Sequence, residues 1–147
     1  MPENVGHGFH FLLEILARKS TRMLNKSLEP KNVPPRLYEV MTFINGAPQN
    51  QITISEKLQI NKNVMVNLID ELEKRGYCVR VQRTDMRRRE YNIELTPKGS
   101  KALRDCGKLV RLAERELLAE LTDQERTELC RLLEKSLSAE LDRQGIL

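Results

Sequence analysis

Between Lys74 and Arg89 the chain sets seven cations, Lys74, Arg75, Arg80, Arg83, Arg87, Arg88 and Arg89, against a single acid, Asp85. That local excess is larger than the net +4 of the whole 147-residue chain. Ammonium and guanidinium groups at this density can neutralise a polyanion and displace its counterions. Lys and Arg also guard exposed strand edges against aggregation, but three successive arginines exceed that need. Residues 100–147 carry nine basic and ten acidic side chains, so the basicity is focused on one segment, as expected for a nucleic-acid partner.

Other chemistry is not legible. No Ser or Cys stands beside a His, no glycine loop is built to cradle phosphates, and the carboxylates fall on amphipathic segments as solvated faces. An enzyme is therefore not expected. His7 and His10 sit one turn apart, but further ligands would have to come from distant Glu or Cys, so no metal site and no cofactor are expected. Cys78, Cys106 and Cys130 are odd in number and widely spaced, which argues for reduced thiols. No apolar run approaches the roughly 20 residues of a membrane span, and the N-terminus lacks the layout of a signal peptide. A soluble cytoplasmic chain follows, and its 39% hydrophobic content suits one domain with a modest core.

The elements that must position the basic segment can be read from periodicity and caps. Phe9, Leu12, Leu13, Leu16, Met23 and Leu24 form one stripe of a helix from Phe9 to Leu28. Pro34-Pro35 opens a second helix near residues 35–45, with Leu37, Val40, Met41 and Ile44 as its stripe, until Gly46-Ala47-Pro48 stops it. Thr53-Ile54-Ser55-Glu56 fits a capping box and opens a third helix ending about Leu58. Asn61 is assigned to capping a fourth helix, which runs to Gly76 with Val64, Leu68, Ile69 and Leu72 inward. Two short helices joined by a tight turn make a helix-turn-helix.

Beyond Gly76, Tyr77, Val79 and Val81 alternate with Cys78, Arg80 and Gln82, and Tyr91, Ile93 and Leu95 alternate with Asn92 and Glu94. These are paired strands around a basic tip. Thr96-Pro97 caps a long helix carrying Leu103, Val110, Leu117, Leu118 and Leu121. Thr122-Asp123-Gln124-Glu125 repeats the capping box and opens a last helix with Leu129, Leu132, Leu133, Leu137 and Leu141 on one face. One helix-turn-helix unit cannot cover the stripes at both chain ends, and pairing of the terminal helices across a two-fold axis predicts a homodimer.

Three stretches carry a family resemblance: residues 52–58, Ile-Thr-Ile-Ser-Glu-Lys-Leu; residues 68–77, Leu-Ile-Asp-Glu-Leu-Glu-Lys-Arg-Gly-Tyr; and Asp85-Met86-Arg87 followed by Leu95-Thr96-Pro97-Lys98-Gly99. Together they resemble the MarR family of winged helix-turn-helix transcriptional regulators. The resemblance covers residues 33–99 well and the flanking helices in pattern only. It implies a mostly α fold with a small β-hairpin wing, a helical dimerisation region at 1–32 and 100–147, and a winged helix-turn-helix at 33–99, all in one structural domain. It also implies that the second helix of the motif enters the major groove, that Arg87 of the wing reaches the minor groove, and that Asp85 orients the tip.

The physics of those positions agrees. A guanidinium suits a narrow groove of strong negative potential, and Arg83, Arg88 and Arg89 would fix register through phosphates without reading sequence. On the front of the helix, Lys62 can reach guanine, Asn63 and Asn67 can pair with adenine, and Val66 can touch a thymine methyl. Val66 and Asn67 depart from the hydroxyl residue and arginine common in the family, so operator preference is expected to differ.

The resemblance further implies a repressor that leaves a double-stranded, pseudo-palindromic operator when a small anionic or aromatic effector binds between the two regions. Candidate lining residues are His10, Glu14, Arg18, Arg22, Tyr38 and Met41. The family's peroxide sensors carry a reactive cysteine near the N-terminal helix, whereas the first cysteine here is Cys78 on a strand, which disfavours redox sensing. The rival reading is a winged-helix protein-interaction module with only nonspecific DNA affinity. A specific operator should outcompete random duplex by roughly a thousandfold or more, and that module would not.

Overall fold

The computed structural model describes residues 8–83 and 90–143, with side chains described as far as Ser138. Asp85, Arg87, Arg88, Arg89 and His7 lie outside the described residues. Helix α1 spans Phe9–Leu28 and runs into a 3-10 turn, Glu29–Lys31, closed by Asn32 in the left-handed conformation at φ 51°. Helix α2, Pro35–Ile44, starts on the proline pair, whose ring fixes φ where no N–H is needed. Its expected stripe, Leu37, Val40, Met41 and Ile44, is buried.

The next segment differs from expectation. Gln49–Asn50 forms a short strand, β1, and the cap of helix α3, Gln51–Leu58, is Asn50 and not Thr53. The Asn50 side chain accepts from the Thr53 N–H at 2.8 Å, so the cap lies three residues before Thr53. Asn outcompetes Thr as a cap, and the pairing of β1 with β3 holds Asn50 extended, as a cap must be. Gln59 at φ 53° ends α3.

Helix α4, Lys62–Lys74, is capped as expected by Asn61, which accepts from the Asn63 N–H at 2.8 Å. Of the four side chains expected inward, Ile69 and Leu72 are fully enclosed and Leu68 packs half-buried against the core, whereas Val64 is exposed and Met65 is buried in its place. Positions 64, 68 and 72 and positions 65, 69 and 72 both satisfy helical spacing. The longer Met side chain fills the core and leaves Val64 outside. Gly76, at φ +74°, turns the chain into the hairpin β2, Cys78–Gln82, and β3, Tyr91–Leu95.

The antiparallel sheet has the order β1-β3-β2, with Arg80 opposite Ile93 and Cys78 opposite Leu95. Its buried face carries Cys78 and Ile93, whereas Val79 and Val81 are exposed, against the pattern an apolar-inward reading would give. Thr96 caps helix α5, Pro97–Leu117, accepting from the Gly99 N–H at 3.0 Å and donating to the Gly76 carbonyl at 2.5 Å. Gly99 presses on the wing root so closely that a Cβ there would lie 2.0 Å from the Tyr77 carbonyl oxygen. No other residue fits.

Helix α6, Asp123–Arg143, opens on the expected reciprocal box. Thr122 Oγ1 accepts from the Glu125 N–H at 3.2 Å, and Glu125 accepts from the Thr122 N–H at 2.8 Å. The core joins α2, α3, α4, the hairpin and the inner face of α5, with Leu28 closing it from α1. Much of the outer apolar surface of α1 and α6, including Phe9, Leu12, Ile15, Leu132 and Leu137, stays exposed. Among the described residues no helix is long and apolar enough to cross a membrane.

Candidate nucleic-acid interface

Two elements set the geometry of the basic surface. Helix α4 turns its buried side toward the core and leaves Lys62, Asn63, Val66 and Asn67 exposed together over its first two turns. A side chain on a first turn also has the positive end of the helix behind it, which favours a phosphate nearby. Beside α4 runs β2, which leads to Arg83, where the Arg83 N–H donates to the Glu90 carbonyl at 2.9 Å and closes the described part of the hairpin. The intervening tip, with Asp85 and Arg87 to Arg89, is outside the described residues.

Arg80 and Arg75 of the cluster make ion pairs within the fold. Arg80 reaches from β2 to helix α4, bonding Asp70 at 2.6 Å and Glu73 at 3.0 Å through separate guanidinium nitrogens. Burial works against the Arg80 charge, but the hydrogen bond to Asp70 and the field of both carboxylates outweigh it and raise its pKa. Arg75 bonds Glu71 at 2.7 Å and donates to the Asn32 carbonyl, pinning the end of α4 to the turn before α2. Arg80 thus fixes strand β2 against helix α4. Its signal in the sequence was Asp70 and Glu73 on the same helical face, three residues apart.

At the turn between α3 and α4, Ser55, Gln59, Asn61, Lys62 and Asn63 line an open hollow. The buried Ser55 hydroxyl has no hydrogen-bond partner among the described residues. Sequence reasoning did not single out this serine, which looked like one position of a capping box.

The effector candidates do not come together. His10, Glu14, Arg18 and Arg22 lie on the exposed surface of α1, where Glu14 and Arg18 pair with each other at 3.3 Å. Met41 is fully enclosed in the core because it belongs to the buried stripe of α2. Tyr38 alone of the six lines a cleft, a space of about 480 Å³ between α2 and α5 with Thr42, Arg104, Gly107, Lys108 and Arg111. The missing side chain of Gly107 leaves room there, since a Cβ would lie 3.3 Å from Arg111 Nη1 and 3.8 Å from the Tyr38 hydroxyl.

All three cysteines are free thiols, and Cys78 and Cys106 are buried. Burial, aided by Glu73, pushes the Cys78 thiol up to about 11. Such a thiol is a poor nucleophile at neutral pH. Among the described residues no three His, Cys, Asp or Glu side chains gather as a metal site.

No family model matches the chain. It is 30% identical over 141 residues to the HTH-type transcriptional regulator PrsX of Escherichia coli, an alignment covering 90% of this chain and 82% of that one. A Thauera aromatica protein described as a transcriptional regulator for the hcr operon is 30% identical over 107 residues; the match takes in 71% of this chain but 63% of that protein's length. Among solved structures, an Escherichia coli MarR cysteine-to-serine variant complexed with operator DNA superposes with a TM-score of 0.74 at 25% identity, covering 86% of this chain and 91% of that one. CouR of Rhodococcus jostii, bound to p-coumaroyl-CoA, superposes with a TM-score of 0.78 at 23% identity over 90% of this chain and 93% of its own. With a three-stranded wing beside a capped recognition helix, and relatives of this kind along most of its length, the chain belongs to the MarR family of winged helix-turn-helix, DNA-binding transcriptional regulators.

Proposed function

We propose that the chain is a repressor that binds a pseudo-palindromic operator as a homodimer and leaves it when a small anionic or aromatic effector binds. The observation that carries this reading is the clamp of Arg80 on Asp70 and Glu73, which holds strand β2, at the base of the arginine-rich segment, at a fixed offset from the exposed front of α4. Two readers held rigidly side by side can enter adjacent grooves of one duplex face. In this reading Lys62, Asn63, Val66 and Asn67 contact base edges, Arg87 enters the minor groove with Asp85 orienting it, and Arg83, Arg88 and Arg89 hold phosphates. Residues 33–99 form the reading unit, and 1–32 with 100–147 form the pairing unit.

Pairing is supported by the apolar surface of the terminal helices, where Phe9 is 60% and Leu137 58% exposed. Patches of this kind mark association surfaces. The effector seat is the α2–α5 cleft, where Arg104, Lys108 and Arg111 supply cations and Tyr38 an aromatic wall. A ligand wedged there would separate the helix that leads into the reading unit from the helix that leads to the pairing unit.

The test is selection of bound duplexes from a random pool at physiological salt with competitor DNA, with Arg87→Ala in parallel. An inverted repeat with half-sites about one helical turn apart, lost in the variant, is expected. A wild-type protein that enriches no sequence would refute the operator reading. An operator bound equally by the variant would refute the wing assignment.

A further inference from the structure

We propose that the cleft between the Glu29–Lys31 turn, the wing root and the first three turns of α5 binds a small phosphate-bearing anion. Lys31, Tyr77, Lys98, Lys101, Asp105 and Cys106 bound a space of about 180 Å³. Three lysines therefore line it against one carboxylate. Helix α5 contributes its N-terminal end to the same place, and none of its first-turn residues is acidic, so the positive end of a 21-residue helix adds to the lysines. One carboxylate, Asp105, balances only part of this charge, and a bound anion relieves the repulsion that is left.

Two of the cations sit on anchored surroundings. The Lys98 ammonium lies 5.7 Å over the Tyr77 ring. Lys31 precedes the left-handed Asn32, whose carbonyl is tied down by Arg75. Val33 and Cys106, also in the wall, are buried and apolar, which strengthens charge attraction above them. Ammonium groups bind phosphate as point charges and need no planar partner, unlike arginine forks. The space is below the roughly 300 Å³ at which drug-sized sites begin, which selects a compact anion.

This site shares no residue with the α2–α5 cleft. It includes Tyr77, whose carbonyl meets Gly99 and from which β2 departs, so its occupancy bears directly on the wing root.

Titration calorimetry of the full chain at constant ionic strength, with inorganic phosphate and separately with glycerol phosphate, tests the assignment. Saturable binding of one anion per chain is expected. It should weaken about a hundredfold in Lys98→Gln/Lys101→Gln, taking about tenfold for each charged hydrogen bond lost, and stay unchanged in Lys19→Gln, an exposed lysine of α1 outside both clefts. Tighter binding of glycerol phosphate than of phosphate would identify a phosphorylated metabolite as the source, and equal binding the free ion. Both outcomes support the site. No saturable binding of either probe, or binding untouched by the double variant, overturns it. A thermal melt checks that the double variant folds, and Lys31→Gln, on a different element, repeats the test independently.

Discussion

The reading unit and the terminal helices treat apolar residues in opposite ways. In the first, Met65, Ile69 and Leu72 of α4 are sealed completely between α2, the hairpin and α3. In the second, α1 sends Leu28 into the core and packs along α5, yet Phe9, Phe11, Leu12 and Ile15 stay exposed, as do Leu132 and Leu137 on α6. The same periodicity produces both stripes. A stripe therefore says that a face wants burial, and only the rest of the fold says whether the chain itself provides the cover.

That contrast can be broken by substitution. The largest effect is expected for Ile69→Ala, which removes fully enclosed methylenes and leaves a cavity; it should cost about 2–5 kcal/mol, read by chemical denaturation. A loss under about 1 kcal/mol would show that the sealed core is looser than described. Arg80→Ala should cost about 1 kcal/mol, because Asp70 and Glu73 are largely solvated and the pair is screened. Its operator affinity should fall by more than that stability loss explains, since the offset between wing and helix is lost; matching losses would reduce the clamp to an ordinary ion pair.

Leu12→Asn and Leu137→Asn should each shift stability of the isolated fold by no more than about 0.5 kcal/mol. In sedimentation, however, they should move the protein toward the monomer. A dimer that survives both would place the pairing surface elsewhere. The smallest effect concerns the thiols. Burial raises the pKa of Cys78 and Cys106, and a raised thiol pKa leaves less thiolate at a given pH, so at pH 8 exposed Cys130 should alkylate fully while the other two stay unmodified in the native protein. Mass spectrometry after a timed pulse reads this directly, and equal labelling would mean that the core opens on that timescale.

Much of the fold was legible because its punctuation is local. Asn61, Gly76, Thr96 and the Thr122–Glu125 box each satisfy backbone groups within a few residues, and each sits where the sequence predicts. What was hidden depends on distant partners. Asn50 becomes a cap because β3 holds it extended, and a two-residue strand has no periodicity to reveal it. Val64 and Met65 compete for one inward position that only packing decides. The sheet hides Cys78 and exposes Val79 because Arg80, on the same side as Cys78, finds its carboxylates on α4. At the basic surface the density of charge was plain, but not that Arg75 and Arg80 are committed to internal bonds.

The close approach of Gly99 to Tyr77 has a mechanical consequence. With backbone against backbone, the base of α5 cannot slide on the wing root, so the wing and α5 pivot as one piece. A helix of 21 residues extends about 32 Å at 1.5 Å per residue. Over that arm a rotation of the joined piece by about 5° moves the far end by about 3 Å. Any rotation of the wing root is thereby carried along the whole arm of α5, and a side chain at residue 99 would wedge the two backbones apart at its base.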